Sequence, residues 1–93
     1  MHCTQIILNK HLLRRLIERA LRPLDILAVV NGGEVVESRE DNGETVHVLL
    51  GSPSGRALHV VLSRSGRTGE CVVITAYYPD LQQWNAGFRR RRR

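Results

Sequence analysis

A chain of 93 residues makes one domain with one modest core. Its 42% hydrophobic content excludes wholesale disorder, and no apolar run approaches the length of a membrane span. Residues 89–93 are all arginine and account for the whole formal charge of +5. Of 14 Lys and Arg they take five, leaving nine against nine Asp and Glu.

The neutral remainder is unevenly charged. Between residues 10 and 22, Lys10, Arg14, Arg15, Arg19 and Arg22 face only Glu18, while between residues 34 and 44, Glu34, Glu37, Glu40, Asp41 and Glu44 face only Arg39. A basic helix, an acidic hairpin and a basic tail follow from this. Both basic segments suit a polyanion; the plain alternative is a set of solvated faces. The start of the chain shows no charged segment leading into an apolar stretch and a cleavage site, so no signal peptide is expected. Cys3 and Cys71 lack CxxC spacing. They are expected as free thiols in a reducing cytoplasm.

Residues 3–8 read as a short strand or an extended lead-in. Asn9 is placed to cap a helix, since its side chain can accept from a free N–H of the first turn. From residue 10 to 21, Leu12, Leu13, Leu16, Ile17, Ala20 and Leu21 recur at helical spacing as one apolar stripe. Pro23 ends that helix and can open a second, with Leu24, Leu27, Ala28 and Val30 turned inward. Asn31-Gly32-Gly33 should end it in a left-handed conformation. Residues 34–39 alternate as a strand, and Asp41-Asn42-Gly43 is a hairpin turn. Residues 45–50 return as the next strand, and residues 51–55 form a loop.

Residues 56–62 and 71–78 are the next two strands, joined by a turn at 65–69. Strict alternation places Leu58 and Val60 on one face with Val72, Ile74 and Ala76, and His59 on the other with Thr75 and Tyr77. The segment after Pro79 carries Trp84 and Phe88, most simply a hydrophobic lid, with a partner anchor as the minority reading of Trp84. The fold class is α+β. N-terminal helices should cover one face of a four- to five-stranded antiparallel sheet, because the connections are too short for parallel crossovers. Residues 1–88 form the single compact domain, and residues 89–93 a mobile basic tail.

His59, His11 and Tyr77 are the candidate catalytic residues, with Arg15, Arg19 and Thr75 as candidates for RNA and phosphate contact. Metal-independent RNA cleavage moves a proton from the 2′-OH and another to the 5′-oxygen, and fixes charge on the phosphorane. Histidine suits the proton transfers, arginine the phosphate, and tyrosine either a proton or a base. In the expected arrangement, one phosphate lies between His11 and His59, fixed by Arg15. Each residue also has a plainer role. His59 would be a core histidine satisfied by a backbone group, His11 a solvated helix residue, and Arg15 a partner of Glu18. His47 is read as an exposed strand residue. No metal site and no cofactor are expected, for the His and Cys spacing fits no zinc set.

The ordered set His11-x-x-x-Arg15, Glu18-Arg19, residues 31–37, Leu50-Gly51, residues 55–61, residues 74–80, Trp84 and the arginine end resembles a family of small bacterial proteins, domain of unknown function 4258. The resemblance covers nearly the whole chain. It implies a toxin of a toxin–antitoxin pair, with a zinc-finger antitoxin of the MqsA kind as partner. It also implies a RelE/MqsR-like fold and endoribonuclease activity on RNA in the cytoplasm, without membrane association. Two departures stand out. The family usually has a tyrosine soon after the glutamate at position 37, where this chain has Ser38-Arg39-Glu40. Its usual Arg-Gly-Ile after the first helix is here Arg19-Ala20-Leu21. A non-catalytic RNA- or protein-binding module, and an interaction protein whose acidic hairpin docks a basic partner, remain the alternatives.

Overall fold

In a computed structural model describing residues 1–93, two helices cover one face of a five-stranded sheet. The elements are β1 (Gln5–Ile7), α1 (Lys10–Glu18), α2 (Pro23–Gly32), β2 (Glu34–Asp41), β3 (Glu44–Gly51), β4 (Leu58–Ser65) and β5 (Glu70–Tyr77). The sheet order is β1-β5-β4-β3-β2. Strands β2 to β5 form the expected antiparallel meander, closed at its first hairpin by Asn42 and Gly43, both at positive φ. The expectation of a wholly antiparallel sheet is corrected at the edge. There β1 pairs parallel with β5, Ile6 opposite Cys71, so the sheet is mixed.

That pairing explains a second correction. Cys3 and Cys71 are not free thiols but a disulfide, with Cα atoms 5.6 Å apart. Parallel pairing of β1 brings the two cysteines together across 68 residues of sequence. The argument for a reducing compartment that rested on free thiols falls with it. No helix is long and apolar enough to cross a membrane.

Asn9 caps α1 as its side chain predicts, accepting from the Leu12 amide at 2.9 Å. The helix stops at Glu18 rather than at residue 21. Arg19 is its C-cap and Ala20 takes φ +55°; the Ala20 amide donates to Ile17 O and the Leu21 amide to Leu16 O. This is a Schellman ending with alanine where glycine is the easy residue. Only Leu12, Leu16 and Leu21 of the predicted stripe are buried, while Leu13 and Ile17 face outward. In α2 the inward residues are Ile26, Val29 and Val30, whereas Leu24 is exposed. Gly33 ends α2 in extended backbone at φ −78°, not in a left-handed turn. Its glycine answers to space instead: a Cβ there would lie 2.5 Å from Val29 O and 2.9 Å from Leu50 O.

The helices and the sheet share one core, in which Leu12, Leu16, Ile26 and Val29 meet Leu49, Leu58, Val60, Leu62, Cys71 and Val73. Strict alternation in β5 is therefore broken, and Val72 and Ile74 are not its helix-facing residues. Val61 pairs with Thr75 but Leu62 pairs with Val73, so Ile74 is an extra residue in a β-bulge, and it is exposed. Before the bulge Cys71 and Val73 face the helices; after it Thr75 and Tyr77 face away. A second bulge lies in β2, where Val35 pairs with Leu49 and Glu37 with Val48, leaving Val36 over. It turns Glu37 to the same face as Glu34, though three positions separate them.

Candidate functional site: His59 and Tyr77 beneath a C-terminal strap

The sheet face away from the helices carries His59, Val61, Thr75 and Tyr77, as alternation along β4 predicts. Val46, Val48 and Leu50 of β3 continue this face, and Glu34 and Glu37 of β2 border it. Unlike an open binding surface, it is covered. After Pro79 the chain crosses back over the sheet and closes on itself. Asp80 Oδ1 accepts from the amides of Gln82 and Gln83, the Asn85 amide donates to Arg90 O, and the Arg92 amide donates to Gln83 O. Trp84 and Arg91 form the bridge across this loop.

Trp84 is 1% exposed and stands edge-on to His59, ring centres 4.4 Å apart. It belongs to this second face and not to the helix-side core, so the lid foreseen for Trp84 lies over His59. His59 is 0% exposed. Its Nε2 lies 2.9 Å from Phe88 O, and its Nδ1 lies 3.3 Å from the Tyr77 hydroxyl. A carbonyl can only accept, so Nε2 carries the proton and Nδ1 accepts from Tyr77. Burial holds the His59 pKa below its ordinary value, outweighing the opposing pull of the Phe88 carbonyl. Burial likewise raises Tyr77. Both shifts favour the uncharged forms, a neutral imidazole and a protonated phenol joined to each other, with His59 buried and Tyr77 half-buried.

The arginine end lies back against the body. Arg89 Nε donates to Glu34 at 2.8 Å and Arg91 Nε to Glu37 at 2.6 Å; the Arg91 guanidinium lies 4.7 Å from the Trp84 ring centre. The acidic edge of β2 supplies the carboxylates that these two arginines meet. Arg89 to Arg93, with Val36, Glu37 and Asn85, line a hollow of about 700 Å³. Only Arg89 and Arg91 of the five hold a carboxylate; Arg92 Nε donates instead to Leu81 O.

The remaining candidates divide. Arg19 reaches round the sheet edge from the end of α1, where β1 is too short to cover β5, and Nη1 donates to Thr75 Oγ1 at 3.0 Å and to Ala76 O at 2.8 Å. It ties helix to sheet, and Thr75 is engaged by it. His11 and Arg15 are exposed on α1, which packs against the opposite face of the sheet. The expected phosphate between His11 and His59 is thus corrected: the sheet separates the two imidazoles. His47 is half-buried, its Nδ1 2.7 Å from Ser38 Oγ. No group of three or more His, Cys, Asp or Glu side chains is arranged to hold a metal ion. The reading of candidate residues missed Arg91, Glu34, Glu37 and the Phe88 carbonyl. The one signal for them in the sequence is the complementary charge of residues 34–44 and 89–93.

Fold and site together define a small α+β domain in which a buried histidine, paired with a half-buried tyrosine, lies between a mixed sheet and a C-terminal strap. The chain belongs to the family described as domain of unknown function 4258, whose pattern matches residues 8–78. No curated protein matches it, and no solved structure does.

Proposed function

We propose that the protein binds RNA through its C-terminal arginines. One observation carries this reading: five consecutive arginines line a single hollow, and Arg90, Arg92 and Arg93 have no carboxylate partner there. A guanidinium fork matches a phosphate, and a row of them matches a phosphate chain. RNA is favoured over an acidic peptide because phosphates recur along it at regular spacing. The supporting experiment is fluorescence anisotropy of a labelled single-stranded RNA with the purified protein. Binding that weakens in Arg90→Gln/Arg92→Gln/Arg93→Gln supports the reading, and no binding ends it.

A second reading makes the chain an endoribonuclease toxin of RelE/MqsR-like fold, countered by an antitoxin, as the family resemblance implies. The Tyr77–His59 pair favours it, being a proton donor and an acceptor already hydrogen-bonded. In that reaction His59 Nδ1, parted from Tyr77, would take the 2′-OH proton as the 2′-oxygen attacks phosphorus, and Tyr77 would give its phenolic proton to the departing 5′-oxygen. A 2′,3′-cyclic phosphate would remain, the proton then passing from His59 back to Tyr77. His59 must be uncovered to take part. Cyclic-phosphate ends that disappear in His59→Gln would support this reading; intact RNA would remove it and leave binding alone.

A further inference from the structure

The strap is pinned to the body at four places: Arg89 on Glu34, Arg91 on Glu37, Phe88 O on His59 Nε2, and Trp84 against His59. The first two are surface ion pairs, with Arg89 and Arg91 more than half exposed. Such pairs are weak in water, and salt screens them. Trp84 is tied to the second of these arginines. Arg91 stacks over its ring and bridges it through the backbone. Phe88, next to Arg89, supplies the carbonyl that holds His59 Nε2.

We propose that RNA phosphates compete with Glu34 and Glu37 for Arg89 and Arg91, so that RNA binding lifts the strap and uncovers His59 and Tyr77. The proposal rests on the RNA-binding reading and adds its regulation. Glu34 and Glu37 hold the arginines as phosphate mimics, each carboxylate offering two oxygens to a guanidinium. RNA presents phosphates to all five arginines at once, and releases counterions as it does so. With Arg89 and Arg91 turned to RNA, the groups that cover His59 are drawn away with the backbone that carries them.

Trp84 is the only tryptophan, so its fluorescence reads the strap directly. The full chain is titrated with a single-stranded RNA oligonucleotide while binding is followed by anisotropy of a label on the RNA. Trp84 emission should move to the red, and acrylamide quenching should rise several-fold, in step with binding. Binding with Trp84 emission and quenching unchanged overturns the strap proposal and leaves the RNA-binding reading standing. Absence of binding overturns both.

A pair of variants tests the competition separately. Glu34→Gln/Glu37→Gln removes the competing carboxylates and should tighten RNA binding several-fold, with greater quenching of Trp84 before RNA is added. Glu40→Gln/Asp41→Asn removes the same charge from the same strand, away from the arginine pairs, and should have a smaller effect on both. Equal effects from the two variants would mean general electrostatics alone, and would overturn the proposal.

Discussion

His59 donates from Nε2 to a backbone carbonyl and accepts at Nδ1 from Tyr77, so a proton added to Nδ1 would face a hydroxyl that must turn away. Burial disfavours the charged ring as well. The unfolded chain binds a proton near the ordinary pKa of 6.5, and the folded chain does so only at lower pH. Between those two points the unfolded state holds more protons, so stability rises with pH. The contribution is present above 6.5 and is lost as pH falls through the lowered folded value. His47, also lowered by burial, acts with the same sign. Urea midpoints measured from pH 7.5 down to pH 5 should fall for the parent and fall less for His59→Gln. An equal slope in both proteins would contradict the neutral tautomer. Ala20 offers a simpler test at the other end of the fold. Its positive φ costs alanine what it does not cost glycine. Ala20→Gly should therefore raise the unfolding free energy by about 0.5–1 kcal/mol, after allowing for the looser unfolded chain. A drop in stability would mean that Ala20 is not strained.

Within single elements, what alternation could reveal and what it could not is plain in β4 and β5. His59 on the face opposite Leu58 and Val60 was readable, because β4 runs without an inserted residue from Leu58 to Val61. In β5 the bulge at Ile74 reverses the pattern midway, and nothing in a run of Val-Val-Ile marks which residue is extra. Thr75 and Tyr77 were placed correctly and Val72 and Ile74 were not, because only the part before the bulge is shifted. The bulge at Val36 is equally silent, yet it gives Glu34 and Glu37 a common face for the strap. Parallel addition of β1 was hidden for another reason: three residues carry too little pattern to show a partner. The disulfide went with it. Closing a loop of 68 residues, it should stabilise the fold by about 4 kcal/mol through the unfolded chain. Thermal unfolding with and without a thiol reductant checks this, with a clear drop in Tm expected on reduction. An unchanged Tm in fully reduced protein would show that the core and β1 pairing suffice alone.

For the molecule as a whole, the parts foreseen as separate charged segments act on one another. The acidic edge of β2 and the basic end of the chain close over the sheet face that carries His59, so the charge asymmetry helps to build the fold before it meets any partner. Three layers result: helices, sheet and strap. The helix side holds a conventional apolar core, and the strap side holds a polar pair under one indole. RNA binding belongs to the outside of that strap, where arginines outnumber the carboxylates they can reach. The most direct test is the salt dependence of RNA affinity for the parent and for Arg90→Gln/Arg92→Gln/Arg93→Gln, which keeps both strap ion pairs. For single strands the logarithmic slope falls by about 0.7 for each phosphate left without its arginine. Replacing three arginines therefore predicts a slope shallower by about 2, with affinity reduced most at low salt. Identical slopes in the two proteins would contradict the central claim that these arginines are where the RNA is held.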